Sequence, residues 1–142
     1  MLKEKLSTGD LELLLKEKGY KITPTRMAVL EIFLKNHKPI SALYIYKKLN
    51  GKINEATVYR ILSSFEESSI LRKVDLRKDS LFFELNDDHH HHIVCTQCGE
   101  IEDFKENKEI EKLLEKVVGE SKKFKNIKEH SLELFGLCKI CN

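Results

Sequence analysis

Two Cys-x-x-Cys pairs constrain the fold of this chain more than any other feature of its sequence. The pairs are Cys95–Cys98 and Cys138–Cys141, and they account for all 4 cysteines among the 142 residues. Each pair can form a knuckle, and two knuckles can bring four thiolates to one tetrahedral zinc ion. Four sulfur ligands leave no position for water or substrate, so we expect a structural zinc.

The alternative for these cysteines is two disulfide bonds or free buried thiols. The first ten residues lack the apolar stretch of a secretory signal, and no segment approaches the length of a membrane span. We therefore expect a cytoplasmic protein without a membrane partner, in a compartment where thiols stay reduced and zinc binding is favoured.

The charge is distributed unevenly along the chain. Residues 1–86 contain 16 lysines and arginines against 11 acidic residues, whereas residues 87–142 contain 9 against 12. This asymmetry favours a polyanion-binding first part and a cation-binding second part. Ordinary domains can differ as much in net charge, so this asymmetry is only supporting evidence for the functions that the motifs indicate.

Residues 1–86 have the pattern of a helical bundle followed by a β-hairpin. Apolar periodicity and capping residues predict helices over 8–18, from Pro24, after Ser41 and over about 55–68. Apolar runs at 70–76 and 80–85 predict the hairpin. This order predicts a winged helix-turn-helix domain whose helix 55–68 enters the DNA major groove.

Five side chains of this first domain are candidate DNA contacts. The helix 55–68 carries three of them near its start, where base contacts concentrate, and two flank the start of an earlier helix, where they could reach phosphate or a minor groove. They are Thr57, Tyr59 and Arg60, and Lys21 and Arg26. The alternative is a three-helix core without a role in DNA binding.

Residues 87–142 predict a small α/β domain that follows a hinge at 86–88, so the fold class is α+β. We expect strands near 92–95 and 100–104, an amphipathic helix from about Ile110 that ends at Gly119, and a last strand within 124–135. A domain of about 55 residues has a marginal hydrophobic core, so it needs a cross-link such as a bound metal, or a partner chain, to be stable.

Four consecutive histidines, His89, His90, His91 and His92, precede the first knuckle. In an extended segment side chains alternate, so His90 and His92 face one way, and His89 and His91 the other. One run can thereby serve two metal sites. For any single member, and especially His89, a solvent-exposed or core role remains the alternative.

Each pair of histidines has candidate partners elsewhere in the chain. They are Glu84 and Asp103 for His90 and His92, and Glu111 and His130 for His89 and His91. Mixed imidazole and carboxylate ligands suit Zn(II), Fe(II), Mn(II) or Ni(II), and ligand type alone does not choose among them. The sequence has no phosphate-binding loop, His-Glu-x-x-His motif or nucleophile elbow, so we expect neither an enzyme nor a small-molecule substrate.

Six motifs, spread over nearly the whole chain, resemble the ferric uptake regulator family of bacterial repressors. They are Thr23-Pro-Thr-Arg26, Ile40-Ser-Ala42 with Ile45-Tyr46, Ala56-Thr-Val-Tyr-Arg60, His89-His-His-His-Ile-Val-Cys95, Cys98-Gly-Glu-Ile-Glu-Asp-Phe104, and His130-Ser-Leu-Glu-Leu-Phe-Gly-Leu-Cys138. The resemblance implies a winged-helix domain, an α/β dimerisation domain, and homodimers that bind palindromic operator DNA when metal is bound.

By position, the resemblance assigns base contacts to Tyr59 and Arg60 and a minor-groove contact to Lys21. It also implies a regulatory metal site at Glu84, His90, His92 and Asp103, and a second site at His89, His91, Glu111 and His130. The family's usual extra histidine in the DNA-binding domain is absent, because Pro39 stands there. Either His37 takes its place, or the regulatory site has four protein ligands.

These departures bear on which metal is sensed. The extra cysteine of zinc-sensing members is absent, Asp103 resembles peroxide-sensing members, and Pro39 removes the histidine that those members oxidise. We therefore expect a repressor that senses Fe(II) or Mn(II), with zinc as another candidate regulatory metal. Peroxide sensing and zinc sensing are the alternatives within the family, and a metal-binding or storage module without a DNA role is the alternative outside it.

Overall fold

The computed structural model describes residues 6–87 and 89–142, and the chain divides into two compact units, Met1–Asp88 and His89–Asn142. Asp88, the last residue of the expected hinge, lies outside the described residues. The predicted α+β class is confirmed, with helices and small sheets in the expected order. No helix among the described residues is long and apolar enough to span a membrane.

Four helices form most of the N-terminal unit, and each begins where the sequence offers a capping side chain. They are α1 (Thr8–Glu17), α2 (Pro24–Lys35), α3 (Ala42–Lys48) and α4 (Glu55–Glu67). The side chains of Ser7, Thr23, Ser41 and Asn54 accept hydrogen bonds from backbone N–H groups of the first turns, which would otherwise lack partners. Gly19 after α1 and Asn50 after α3 adopt positive φ, the left-handed conformation at which both helices end.

A three-stranded antiparallel sheet completes this unit. Its strands are β1 (Ile40–Ser41), β2 (Leu71–Val74) and β3 (Phe82–Leu85), in the order β1-β3-β2. Strands β2 and β3 form the predicted hairpin wing. Strand β1 was not predicted, because two residues are too few for a periodic signal.

The core of the N-terminal unit lies between the helices and the sheet. Leu15, Val29, Val58 and Phe65 are fully buried there. Burial of one such side chain stabilises the fold by about 1.5–3 kcal/mol. Tyr20 packs edge-on against Phe65 and donates its hydroxyl to the Ser64 carbonyl at 2.9 Å. This core anchors α4 through Val58 and Phe65 and leaves Tyr59 and Arg60 exposed.

The C-terminal unit contains one sheet and one helix. Its elements are β4 (His90–Cys95), β5 (Ile101–Lys105), α5 (Lys108–Glu120) and β6 (Glu133–Gly136). The strand order is β5-β4-β6, with β4 antiparallel to β5 and parallel to β6. The central strand β4 therefore places the histidine run between two neighbours.

Two boundaries of this unit differ from the predictions. Helix α5 continues through Gly119 to Glu120, because Gly119 does not adopt the left-handed conformation that ends a helix. The last strand begins at Glu133, so His130 precedes it in an irregular segment. The alternation of apolar residues predicted a longer strand than the pairing with β4 supports.

Candidate metal centres

The four cysteine sulfurs converge on one point. All four lie within 4.8 Å of one another, and the Cys98 and Cys138 sulfurs are 3.7 Å apart. A zinc–sulfur bond of about 2.3 Å gives a tetrahedron whose edge is about 3.8 Å. None of the cysteines forms a disulfide bond. The cluster has the dimensions and the donor set of a structural zinc site.

The parallel pairing of β4 and β6 explains this convergence. Cys95 and Gly136 are register partners, so the two knuckles leave neighbouring strands at the same end of the sheet. The first knuckle is closed by the Gly99 amide donating to the Cys95 carbonyl, with Gly99 at a φ of +78°. The second is closed by the Cys141 amide donating to the Cys138 carbonyl.

Hydrogen bonds from backbone amides favour the thiolate form of Cys95. Hydrogen bonds from the amides of Cys98 and Cys138 lower the pKa of Cys95 to about 6. The neighbouring Cys138 sulfur, followed by that of Cys98, raises the pKa of Cys141 to about 12. Crowded sulfurs thus resist joint ionisation without a cation, and a divalent cation would stabilise all four thiolates.

The histidine run alternates between the faces of β4 as predicted. The rings of His90 and His92 are 5.0 Å apart between centroids on one face, and those of His89 and His91 are 4.7 Å apart on the other. Each pair meets a different set of carboxylates.

On the second face, Glu106 meets three imidazoles. Its two oxygens lie 3.0 Å from His89 Nε2 and 2.8 Å from His130 Nε2, and one lies 3.9 Å from His91 Nε2. His89 and His130 are also 3.0 Å apart between their Nε2 atoms. These four residues form a group that could hold a metal ion.

His91 supplies the strongest indication that this group fits a metal. It is buried, and neither ring nitrogen makes a hydrogen bond within the described part of the chain. Burial, followed by the charge of His89, lowers the pKa of His91 and favours the neutral imidazole that ligates metals. A buried imidazole without hydrogen bonds costs free energy that a coordinate bond would offset.

The carboxylate in this group differs from the one that the sequence analysis proposed. Glu106 follows β5 directly, and because Lys105 pairs with His90, the next residue lies beside His89. Glu111 lies on α5, is exposed, and lines a cavity of about 540 Å³ with Glu106 and His130. The antiparallel register of the two strands was the signal that could have identified Glu106.

On the first face, carboxylates flank His92 on both neighbouring strands. Asp103 on β5 lies 3.6 Å from His92 Nε2 and 4.0 Å from His90 Nε2. Glu133 on β6 lies 3.9 Å from His92 Nδ1. His90, His92 and Asp103 thus come together as predicted, while Glu133 was not anticipated. Imidazole and carboxylate donors fit Fe(II), Mn(II) or Zn(II).

The candidate ligands of the N-terminal unit lie in its sheet and in a loop. Glu84 lies on β3, where Arg72 on β2 donates to it at 2.6 Å. His37 lies in the exposed loop after α2, and the nearby Pro39 is buried. Arg72 was not among the predicted site residues, although the hairpin register pairs it with Glu84.

The DNA-binding candidates lie near the start of α4 and around the start of α2. Tyr59 and Arg60 on α4 are exposed, and the Thr57 amide is used by the Asn54 cap. Lys21 is exposed before α2. Arg26 is half-buried, donates to the Lys21 carbonyl at 2.8 Å and lies over the Tyr20 ring at 5.3 Å. Arg26 therefore orders the segment that carries Lys21.

Comparison with known proteins points to one family. A sequence model of the Ferric uptake regulator family matches residues 17–135. The chain is 37% identical over 132 residues to the ferric uptake regulation protein of Neisseria gonorrhoeae, which covers 89% of this chain and 90% of that one. It is 33% identical over 132 residues to the peroxide-responsive repressor PerR of Staphylococcus aureus strain USA300, covering 89% of this chain and 86% of that one.

Solved structures agree with this assignment. The ferric uptake regulator of Francisella tularensis, whose structure was determined with iron, matches with a TM-score of 0.74 and 35% identity. The match covers 87% of this chain and 95% of that one. The similarity therefore includes both units of the chain.

Proposed function

Because this chain belongs to the ferric uptake regulator family, whose members are metal-responsive transcriptional regulators and not enzymes, we propose that it is a homodimeric repressor. It binds palindromic operator DNA in the cytoplasm when Fe(II) or Mn(II) fills its regulatory site. The observation that carries this proposal is the arrangement on β4, where one strand presents two imidazole–carboxylate sets next to four converging thiols.

The regulatory site consists of His90, His92 and Asp103 from the C-terminal unit and Glu84 from the N-terminal unit. The distances of 3.6 and 4.0 Å between Asp103 and the two histidines support the first three. One divalent cation can be coordinated by carboxylates and imidazoles from both units at the same time. Ligands on either side of the hinge at 86–88 let metal occupancy restrict the placement of the winged helix, and His37 is a further candidate ligand.

The second site consists of His89, His91 and His130 with Glu106 as the carboxylate. The unbonded ring of His91 and the short Glu106 contacts support this set. Glu111, in the wall of the adjoining cavity, is the competing candidate. Zn(II) at the four thiols keeps the end of β4 beside β6 and so orders the strand that carries both histidine pairs.

The exposed side chains near the start of α4 recognise the DNA sequence. Tyr59 and Arg60 contact base edges in the major groove, with Thr57 close by, and Lys21, in the segment that Arg26 orders, contacts the backbone or a minor groove. Two winged helices in a dimer would read two half-sites of a palindrome about one helical turn apart.

The second copy in the dimer covers the apolar face of α5. This helix carries Ile110, Leu113, Leu114, Val117 and Val118 on one side, yet none of its residues is buried. Leu113 is 60% exposed and Val117 is 55% exposed. Ile93 and Leu134, register partners on β4 and β6, also expose apolar surface. A two-fold dimer buries such surfaces on both copies at once and supplies the core that one unit lacks.

A metal-storage module without a DNA role is disfavoured by the capped helices, the hairpin wing and the exposed Tyr59 and Arg60. Peroxide sensing is the second candidate function, which the likeness to a peroxide-responsive repressor and the aspartate at Asp103 favour. Exposure of the Fe(II)-loaded protein to hydrogen peroxide distinguishes it, because a peroxide sensor would lose DNA binding with oxidation of a histidine ligand.

Metal-dependent DNA binding tests the proposal. Zinc-loaded protein would be saturated with Mn(II) and used to select duplexes from a random-sequence pool, and affinities would then be measured by fluorescence anisotropy with and without Mn(II) or Fe(II). Coupling of the usual size predicts about 5- to 150-fold tighter binding with metal. Equal affinities in both conditions, or selection of no sequence, would overturn the proposal.

A further inference from the structure

The buried carboxylate of Glu84 already has a cation beside it. Strands β2 and β3 pair Arg72 with Glu84 in register, and Arg72 Nε donates to Glu84 Oε1 at 2.6 Å. The Glu84 side chain is 1% exposed and that of Arg72 is 23% exposed. A charge-assisted hydrogen bond of this length at a buried carboxylate is a strong contact.

The neighbouring cation on the same strand is engaged elsewhere. Lys73 points to the opposite side of β2 and lies 3.7 Å from Glu66 on α4. Arg72 and Lys73 therefore differ in the group they neutralise, although they are adjacent in sequence. Removing the Lys73 charge provides a matched control for removing the Arg72 charge.

We propose that Arg72 is a positioning residue that holds Glu84 and competes with the regulatory cation for its negative charge. The inference rests on the proposed function, in which Glu84 is a ligand of that cation. In the metal-free protein, Arg72 neutralises the charge of the buried carboxylate and orients it through Oε1. A cation that binds Glu84 then shares the carboxylate with a guanidinium, which raises the free metal concentration needed to fill the site.

The physical basis is charge competition in a poorly solvated place. A carboxylate out of water needs a compensating positive charge, and the Arg72 guanidinium provides one. Arg72 also repels a divalent cation bound to the same carboxylate, and screening by water is weak at a buried group. The arginine thus makes the metal-free state stable and the metal-bound state less favourable.

Mn(II) affinity of the zinc-loaded full chain tests this inference. Free Mn(II) would be measured by electron paramagnetic resonance in a His130→Ala background, which removes a second-site ligand. We compare Arg72→Gln, Arg72→Lys, Glu84→Gln and Lys73→Gln. Arg72→Gln should tighten Mn(II) binding on the order of tenfold. Arg72→Lys should stay within about threefold of the parent because it keeps the charge, and Lys73→Gln should leave the affinity unchanged.

The outcomes separate this inference from the proposed site. Weaker binding in Glu84→Gln with no tightening in Arg72→Gln would overturn the role of Arg72 and leave the regulatory site intact. Unchanged binding in Glu84→Gln would overturn both. Equal tightening in Arg72→Gln and Lys73→Gln would show a general effect of charge and also overturn the inference. Circular dichroism establishes that each variant is folded, and Arg72→Met, which also removes the charge, replaces Arg72→Gln if that variant does not fold.

Discussion

Glu106 Oε1 lies 2.8 Å from His130 Nε2, which joins the end of β5 to the irregular segment before β6. This contact brings a residue outside any regular element to the histidine face of the sheet. It also predicts which carboxylate completes the second metal site.

Glu106→Gln should weaken metal binding at the second site by at least about tenfold, since it removes a charged ligand that meets three imidazoles. Glu111→Gln, a matched change in the wall of the same cavity, should have little effect. Co(II) titration followed by visible absorption measures both. The reverse order of effects would assign the ligand to Glu111.

Cys138→Ser should abolish tight zinc binding and the cooperative unfolding of the C-terminal unit. Structural zinc contributes on the order of 10–16 kcal/mol of binding free energy in small domains, far more than a marginal core can replace. Zinc content by mass spectrometry and differential scanning calorimetry test this. Lys139→Ala, an exposed change between the two ligands, is the control and should keep both properties.

Loss of zinc should also reduce the metal response of DNA binding, because the Cys95 knuckle ends the strand that carries both histidine pairs. Treatment of the wild-type protein with a strong chelator should reproduce the effect of Cys138→Ser. A zinc-free protein that stays dimeric and binds operator normally on addition of Mn(II) would contradict this coupling.

Arg60→Ala should reduce binding to the selected operator by about 1–3 kcal/mol and relax specificity at the contacted base. Lys21→Ala should weaken binding to all sequences alike and lower its salt dependence, as expected for a backbone contact. Anisotropy titrations at several salt concentrations separate the two effects. Lys122→Ala in the C-terminal unit serves as a charge-matched control, and a loss as large as that of Arg60→Ala would indicate only nonspecific attraction.

Leu113→Glu should convert the dimer into a monomer without unfolding it, because Leu113 is exposed within one chain. Lys112→Glu, on the opposite side of α5, should leave the dimer intact. Sedimentation velocity gives the mass of each species, and circular dichroism reports its fold. A Leu113→Glu variant that sediments as a dimer would exclude α5 from the interface.

The start of α1 should show a characteristic pH dependence. Hydrogen bonds from the Ser7 amide, followed by the Ser7 hydroxyl, lower the pKa of Asp10 from its ordinary value of 3.8. The stabilisation is therefore complete above that value and is lost as pH falls through the lowered pKa. Urea unfolding of wild type and Asp10→Asn should differ by a constant amount at pH 7 and pH 5, and by less as the pH falls below 3.8. A difference that does not change below pH 3.8 would show that folding does not lower the pKa.

Local chemistry explains which elements were predictable. Ser41 and Asn54 predicted the starts of two helices, because an N-cap is a local hydrogen bond between one side chain and a backbone amide of the next turn. The alternation of His89 to His92 followed from strand geometry alone. In contrast, the contact of Glu106 depends on the register of β4 with β5, and register is set by pairing across the sheet rather than by either strand. The position at which α5 ends depends on the backbone conformation of Gly119, and the presence of a glycine does not determine that conformation.

The sharing of β4 by two sites has a consequence for how this protein can change during evolution. Because the side chains alternate, inserting or deleting one residue within the run 89–92 would exchange the faces of the remaining histidines. Both ligand sets would then be lost in a single event, whereas substitution of one histidine would damage one set. The segment should therefore tolerate replacement of individual residues much better than any change in its length.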